Sequence, residues 1–121
     1  KKTFFGGYKV FNFTKKIRTP DNWKDWLKQL VNSGCGEIFL NSVDKDGTLD
    51  GPDINLVHEV SQIVNIPLIV AGGISSLHDM KKLFNVGANA VAAGAFFVYY
   101  GPHRGVLITY PKYHEIEKIL L

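Results

Sequence analysis

Hydrophobic positions follow two different spacings along the chain. In four segments they recur three and four residues apart, which is the pattern of an amphipathic helix. In the first of these segments, the side chains on one face are Trp23, Trp26, Leu27, Leu30 and Val31. The four predicted helices run from Thr19-Pro20 to Gly34, from Pro52-Asp53 through Val64, from Ser75-Ser76 to Gly87, and from Lys112 to Leu121.

Short apolar runs without helical spacing lie between these helices. They predict strands over Glu37–Ser42, Leu68–Ala71 and Ala90–Ala95. An N-terminal hairpin is predicted with arms Thr3–Phe5 and Tyr8–Phe13 around Gly6-Gly7. Strands that alternate with helices predict an α/β fold, in which parallel strands all end at the same edge of one sheet.

One pattern occurs twice in the chain. Residues 31–38 align with residues 84–91, and each stretch joins a helix end, a glycine and the start of a strand. Repeats of two βα units occur in (β/α)₈ barrels, so this repeat favours that architecture.

The composition is that of a single globular domain over residues 1–121. Hydrophobic residues make up 45% and charged residues 21%, which argues against disorder and against a disulfide scaffold. The apolar runs are too short to span a membrane, and a net charge of +3 is too small to predict a nucleic-acid partner. A pI near 9.0 suits an anionic small molecule. One cysteine, Cys35, and the lack of a leader pattern predict a cytoplasmic protein.

Glycine pairs or small residues follow two of the predicted strands. Gly72 and Gly73 come after the second strand, and Ala93 and Gly94 after the third. Backbone N–H groups approach an anion closely where no Cβ intervenes, so the two turns favour a phosphate site. The alternative is that the glycines only make tight turns and that the alanines are small because the barrel interior is crowded.

The first strand ends in polar residues and an acidic loop. Asn41 and Ser42 are expected to point into the same cavity, and Asp44, Asp46 and Gly47 follow them. This loop resembles a calcium loop, but it lacks the later glutamate and follows a strand. It either supplies acid-base or hydroxyl-binding groups or is a solvated turn.

The remaining reactive side chains show no metal spacing. The histidines on predicted helices are expected at the surface; they are His58, His78 and His114. Cys35 lies at a helix-to-strand junction, where a small packed residue is a better interpretation than a nucleophile.

A long aromatic and basic loop follows the last predicted strand, over residues 99–111. It contains His103 and Arg104, which could contact an anionic or sugar-bearing substrate. Covering an interface and plain loop packing are the alternatives. A Rossmann-type nucleotide site is disfavoured because no G-x-G-x-x-G follows a strand.

Three segments together resemble a known family: GCGEIFLNSVDKDGTLDGPD, IPLIVAGGISS and GANAVAAGAFF. They are similar to the C-terminal half of the cyclase subunit of imidazole glycerol phosphate synthase, the HisF-like family, over Lys1–Phe97. The resemblance implies half of a (β/α)₈ TIM barrel and no cofactor. It also implies a partner glutaminase that delivers ammonia, which the cyclase uses to split a bisphosphorylated ribulosyl-formimino carboxamide.

The resemblance also assigns residues. It implies a phosphate site formed by Asp46, Gly47, Gly72, Gly73, Ala93 and Gly94. Asn41 matches a substrate-facing position that is usually Thr, and Glu37 matches a glutamate in the gate for ammonia. Ala71 and Gly94 stand where the family has serines, which removes two hydroxyl contacts to phosphate.

The basic segment Gly101–Pro111 resembles a branch of the family that amidates sugars in bacterial surface polysaccharides such as lipopolysaccharide. We therefore expect a subunit that uses ammonia on a phosphorylated or nucleotide-linked sugar. The alternatives are the cyclase of histidine biosynthesis and a non-catalytic phosphate-binding half barrel.

The family's two catalytic aspartates are absent from these residues, so we expect phosphate binding without turnover by this chain alone. Residues 1–18 would form a hairpin or loop after a missing fifth strand, and residues 19–121 the last helices and strands. An open half barrel should pair with a second copy or with its missing half.

Overall fold

The computed structural model describes residues 1–19 and 22–121. Its strands are β1 (Phe11–Asn12), β2 (Ile17–Arg18), β3 (Ile38–Asn41), β4 (Leu68–Ala71), β5 (Ala90–Ala92), β6 (Tyr99–Tyr100) and β7 (Gly105–Val106). Its helices are α1 (Trp23–Asn32), α2 (Ile54–Ser61), α3 (Leu77–Asn85), α4 (Ala95–Val98) and α5 (Tyr113–Leu120). The predicted α/β class is confirmed by this alternation.

The central sheet is parallel, with the strand order β3-β4-β5. Its register sets Asn41 opposite Ala71 and Ala71 opposite Ala92, so the strands end at one common edge. The apolar runs of the sequence form these strands because side chains on alternate residues pack against helices.

One face of the sheet is covered by helices and the other is open. Leu68 and Val70 of β4 are buried in the core under the helices, together with Val57 and Val60 of α2 and Leu83 of α3. On the opposite face, Phe39 is 59% exposed although it lies in the middle of β3. A sheet with one apolar face uncovered is what half of a barrel presents.

The first helix starts later than the sequence predicts. Asn22 is its N-cap, and the Asn22 side chain accepts a hydrogen bond from the Lys24 N–H at 3.1 Å. An asparagine that satisfies a free N–H group sets the helix start. The predicted helix start was Thr19-Pro20, and Pro20 lies outside the described residues. Trp26 was predicted on the inner face but is 42% exposed, whereas its neighbour Leu27 is buried.

The chain after β5 is more ordered than predicted. The third predicted strand ends at Ala92 rather than Ala95, because the chain turns into the short helix α4. The predicted loop over residues 99–111 contains the antiparallel hairpin β6–β7. This hairpin was missed because two-residue strands have too few positions to show an alternating pattern.

The N-terminal hairpin is shorter than predicted. A single antiparallel bridge joins Lys2 and Tyr8 across a tight turn that carries the exposed Phe4 and Phe5. β1 lies within the predicted arm Tyr8–Phe13, but it pairs with β2 in a second hairpin that was not predicted.

Candidate functional site

A cavity of about 330 Å³ opens at the carboxyl ends of the three parallel strands. It is lined by Phe39, Asn41, Asp46, Gly47, Leu49, Ala71, Gly72, Gly73, Ile74, Ala92, Ala93, Gly94 and Ala95. The structure thus brings together all six residues that the resemblance assigns to phosphate, and Asn41 with them. Ligands of parallel α/β folds bind at this edge.

The turn after β4 is fixed by the loop that follows β3. Gly73 has a φ of +83°, and a Cβ at this position would overlap the carbonyl oxygen of Gly51 and lie 2.9 Å from the Lys45 Cβ. The Gly51 N–H donates to the Gly73 carbonyl oxygen at 2.9 Å. A side chain here is excluded both by the backbone conformation and by the close contact.

Several backbone donors at the cavity have no acceptor. The N–H groups of Gly73, Ile74 and Gly94 make no hydrogen bond to any other described residue. Gly73 and Ile74 are buried, and buried backbone N–H groups are almost always paired, so these two unpaired donors point to a bound acceptor. Gly94 is exposed, and its N–H is accessible from the cavity. Gly94 has open space where a Cβ would lie, which leaves its side of the cavity unobstructed.

The start of α3 is capped by its own side chains. Ser76 accepts from the Asp79 N–H at 3.1 Å, while Asp79 accepts from both the N–H and the hydroxyl of Ser75, at 3.1 and 2.7 Å. Burial raises the pKa of the Asp79 carboxyl, but these hydrogen bonds outweigh burial and hold the pKa below its ordinary value of 3.8. The ionised Asp79 carboxylate therefore holds Ser75, and with it the turn that contains Gly72 and Gly73.

The opposite wall of the cavity is polar. The Asn41 Nδ2 donates to Asp46 Oδ2 at 3.2 Å, and Asn41 Oδ1 is buried without a partner in the described part of the chain. Ser42 is buried and does not line the cavity. Successive side chains of a strand point to opposite faces, which separates Ser42 from Asn41. This wall offers a carboxylate to hydroxyl groups of a ligand.

The β6–β7 hairpin contacts the cavity loop that follows β3. Arg104 Nη2 donates to the carbonyl oxygen of Gly47, and the guanidinium lies over the Tyr99 ring with Cζ 5.2 Å from the centroid. His103 is exposed, and its side chain makes no hydrogen bond or ion pair with the described residues. Of the two residues predicted in this loop, only Arg104 contacts the cavity loops.

Comparison with known proteins identifies the family. The model of the histidine biosynthesis protein family matches residues 2–104. The chain belongs to this family.

Individual relatives agree with the family match. A protein of Pseudomonas aeruginosa, provisionally named imidazole glycerol phosphate synthase subunit hisF2, is 42% identical, with 97% of this chain and 47% of the relative covered. The imidazole glycerol phosphate synthase subunit HisF of Sulfolobus acidocaldarius is 39% identical, with 83% of this chain and 38% of that protein covered. The chain spans about half the length of the relatives it matches or less.

In this member of the histidine biosynthesis protein family, Glu37 lies at the amino end of β3, opposite the end that faces the glycine turns. It is exposed just before the strand and lines a separate apolar cavity of about 310 Å³ together with the half-buried Cys35. Its position is thus remote from the glycine turns. The histidines His58, His78 and His114 are exposed, as predicted.

One cluster was missed by the sequence interpretation. Asp53 is buried and accepts hydrogen bonds from the Tyr8 hydroxyl at 2.9 Å and from the Leu56 N–H at 3.2 Å. The Lys2 Nζ lies 3.5 Å from its second oxygen. Burial, with the hydrogen bond to Asp53, raises the pKa of Tyr8. The only signal was the Pro-Asp pair before α2, which marks an N-cap but not its distant partners.

The described residues contain neither a metal-binding cluster nor a membrane-spanning helix. Over 1–19 and 22–121, no group of three or more His, Cys, Asp or Glu side chains is arranged to hold a metal ion. None of the helices described is long and apolar enough to cross a membrane.

Proposed function

We propose that the cavity binds a phosphoryl group of the substrate. The unpaired N–H groups of Gly73, Ile74 and Gly94 at one cavity carry this proposal. Phosphate oxygens accept hydrogen bonds strongly, and the absence of side chains at two of these positions allows close approach. The Asn41–Asp46 wall then lies beside the phosphate, where a carboxylate suits hydroxyl groups of a sugar or polyol.

The best-supported activity is that of the imidazole glycerol phosphate synthase cyclase, as a property of the full-length protein. Family membership and the names of the relatives support this assignment. Asp46 is the only ionisable side chain among the lining residues, so this cavity holds no second group to share the proton transfers with it. Residues 1–121 therefore bind and orient the substrate, and the proton-transfer groups come from the rest of the barrel.

The rest of the barrel would pack on the open face of the sheet. Phe39 is exposed on this face, and the relatives are about twice as long as the chain. A (β/α)₈ barrel of about 250 residues buries such a face inside. We infer that the N-terminal half of a full-length protein covers it, and that the 121-residue chain alone self-associates. Sedimentation of the isolated chain tests this, and a stable monomer would contradict it.

A glutaminase is the proposed partner. Glu37 lies at the amino end of β3, away from the phosphate cavity, where ammonia would enter a barrel whose substrate binds at the other end. A single half-buried cysteine agrees with a cytoplasmic location for such an assembly.

Sugar amidation in surface polysaccharide synthesis is the second candidate. The β6–β7 hairpin, which brings Arg104 to Gly47, favours it, as do the missing hydroxyl groups at Ala71 and Gly94.

One assay separates the two candidates. Full-length protein is mixed with ammonia and the histidine-pathway bisphosphate, and formation of imidazole glycerol phosphate is followed. We expect turnover that is lost when the glycine turns are disrupted. No turnover by a folded, phosphate-binding protein would reject the cyclase assignment and leave sugar amidation.

A further inference from the structure

The β6–β7 hairpin is held firmly at its base and carries a cation at its tip. The Phe97 and Tyr110 rings stack at the base with centroids 4.6 Å apart and an interplanar angle of 10°. From this base the hairpin extends to the loop after β3, where Arg104 Nη2 donates to the Gly47 carbonyl oxygen. These two residues are 57 positions apart, so only the tertiary fold brings them together.

The backbone at the tip is in an unfavourable conformation. Arg104 has a φ of +51°, in the left-handed region of backbone conformation that residues other than glycine rarely adopt. Leu49, which lines the cavity, has a φ of +62°. Such conformations persist where surrounding contacts hold them, and they cluster at binding sites. Here the Tyr99 ring and the Gly47 carbonyl hold the guanidinium in place.

The charge of Arg104 has no carboxylate partner in the part of the chain that the structure describes. The hydrogen bond to Gly47 uses one of the five N–H donors of a guanidinium. Gly47 itself lines the cavity, whose lining includes the carboxylate of Asp46 and no cation. Two described cations therefore lie beside this wall: Arg104, which reaches Gly47 from the hairpin, and Lys45, whose Cβ lies next to Gly73.

The geometry points to Arg104 as an anion-binding residue of this cavity, which contacts the phosphoryl group held by the glycine turns. This role rests on the proposed phosphate site. The backbone donors select an oxyanion, and the guanidinium adds the charge that favours a dianionic phosphate monoester over a singly charged or neutral ligand. The contact with Gly47 holds the hairpin in position before the ligand arrives.

Phosphate binding to the full-length protein tests this role. Inorganic phosphate is titrated at pH 8 by calorimetry into the wild type and into Arg104→Gln, Arg104→Lys and Arg18→Gln. Glutamine retains an N–H donor for Gly47 but not the charge, so we expect about tenfold weaker binding with an unchanged melting temperature. Lysine keeps the charge without the planar fork and should recover part of that loss. Arg18 is an exposed cation of β2 and serves as the matched control.

The outcomes separate this role from the site itself. A loss smaller than about threefold in Arg104→Gln, or an equal loss in Arg18→Gln, would show that Arg104 only fastens the hairpin. Gly94→Asp reports on the site independently, because it places a carboxylate at the cavity. If Gly94→Asp abolishes binding and Arg104→Gln does not weaken it, only the role of Arg104 is rejected. If the wild type does not bind phosphate, both proposals are rejected.

Discussion

Two glycine-containing turns line the same cavity, and the fold requires glycine in only one of them. At Gly73 a Cβ would overlap the Gly51 carbonyl oxygen, and φ is +83°. At Gly94, φ is −107° and a Cβ would meet no atom within 4 Å. The contact between two loops therefore explains the first glycine, whereas packing does not explain the second.

This difference changes how strongly each glycine indicates a ligand. Gly72 and Gly73 would be needed even in a protein that binds nothing, because the β3–α2 loop packs on their turn. Gly94 keeps the cavity open without being needed for folding. Variants at Gly94 therefore test the phosphate site, and variants at Gly73 test the fold beneath it.

The largest effect is expected for Gly73→Ala. The methyl group meets the Gly51 carbonyl, and alanine must adopt a left-handed conformation, so the free energy of unfolding should fall by about 3 kcal/mol or more. Urea unfolding of the full-length protein measures this change. Gly94→Ala is the control, and equal stability of the two variants would remove the distinction between the turns.

Gly94→Asp should have the next largest effect, on binding alone. A carboxylate facing a bound phosphate at close range repels it, so phosphate affinity should fall by about 30-fold or more while stability stays near that of the wild type. Calorimetric titration gives the affinity, with Gly94→Asn as the uncharged control. Full retention of affinity would place the phosphate elsewhere.

Asp79→Asn should weaken the first turn by an intermediate amount. Removing the charge weakens the hydrogen bonds from Ser75, and we expect a loss of about 1–2 kcal/mol at neutral pH. The pKa of Asp79 is lowered in the folded state, so its stabilising effect is complete above pH 3.8 and is lost as the pH falls through the folded-state value. The difference in melting temperature between the two proteins should be constant above about pH 5 and should shrink as the pH falls below about 3.8. A difference that does not shrink at low pH would contradict the charge effect.

Gly94→Ala should have the smallest effect. The added methyl group meets open space, so stability should change by no more than about 0.5 kcal/mol and phosphate affinity by about twofold or less. Thermal unfolding and titration on one sample measure both quantities. A large loss of stability would show that the second turn, like the first, is determined by packing.

Much of the fold follows from local patterns. The 3.6-residue spacing predicts α1, α2, α3 and α5, and continuous apolar runs predict the three parallel strands. Short elements were missed: β2, the hairpin β6–β7 and the one-turn helix α4 have too few residues to establish a period. The start of α1 was misplaced because Thr19 and Asn22 are both N-cap residue types, and only the structure shows that the Asn22 side chain accepts the hydrogen bond.

The sequence by itself determined that strands alternate with helices and that glycine turns follow two strands, because periodicity and turn chemistry are local properties. Parallel strands then required those turns to meet at one edge. Only the tertiary structure decided which turn packs against the β3–α2 loop, that Ser42 lies away from the cavity and that Arg104 reaches Gly47. These are contacts between residues distant in sequence, and the packing of the whole domain determines them.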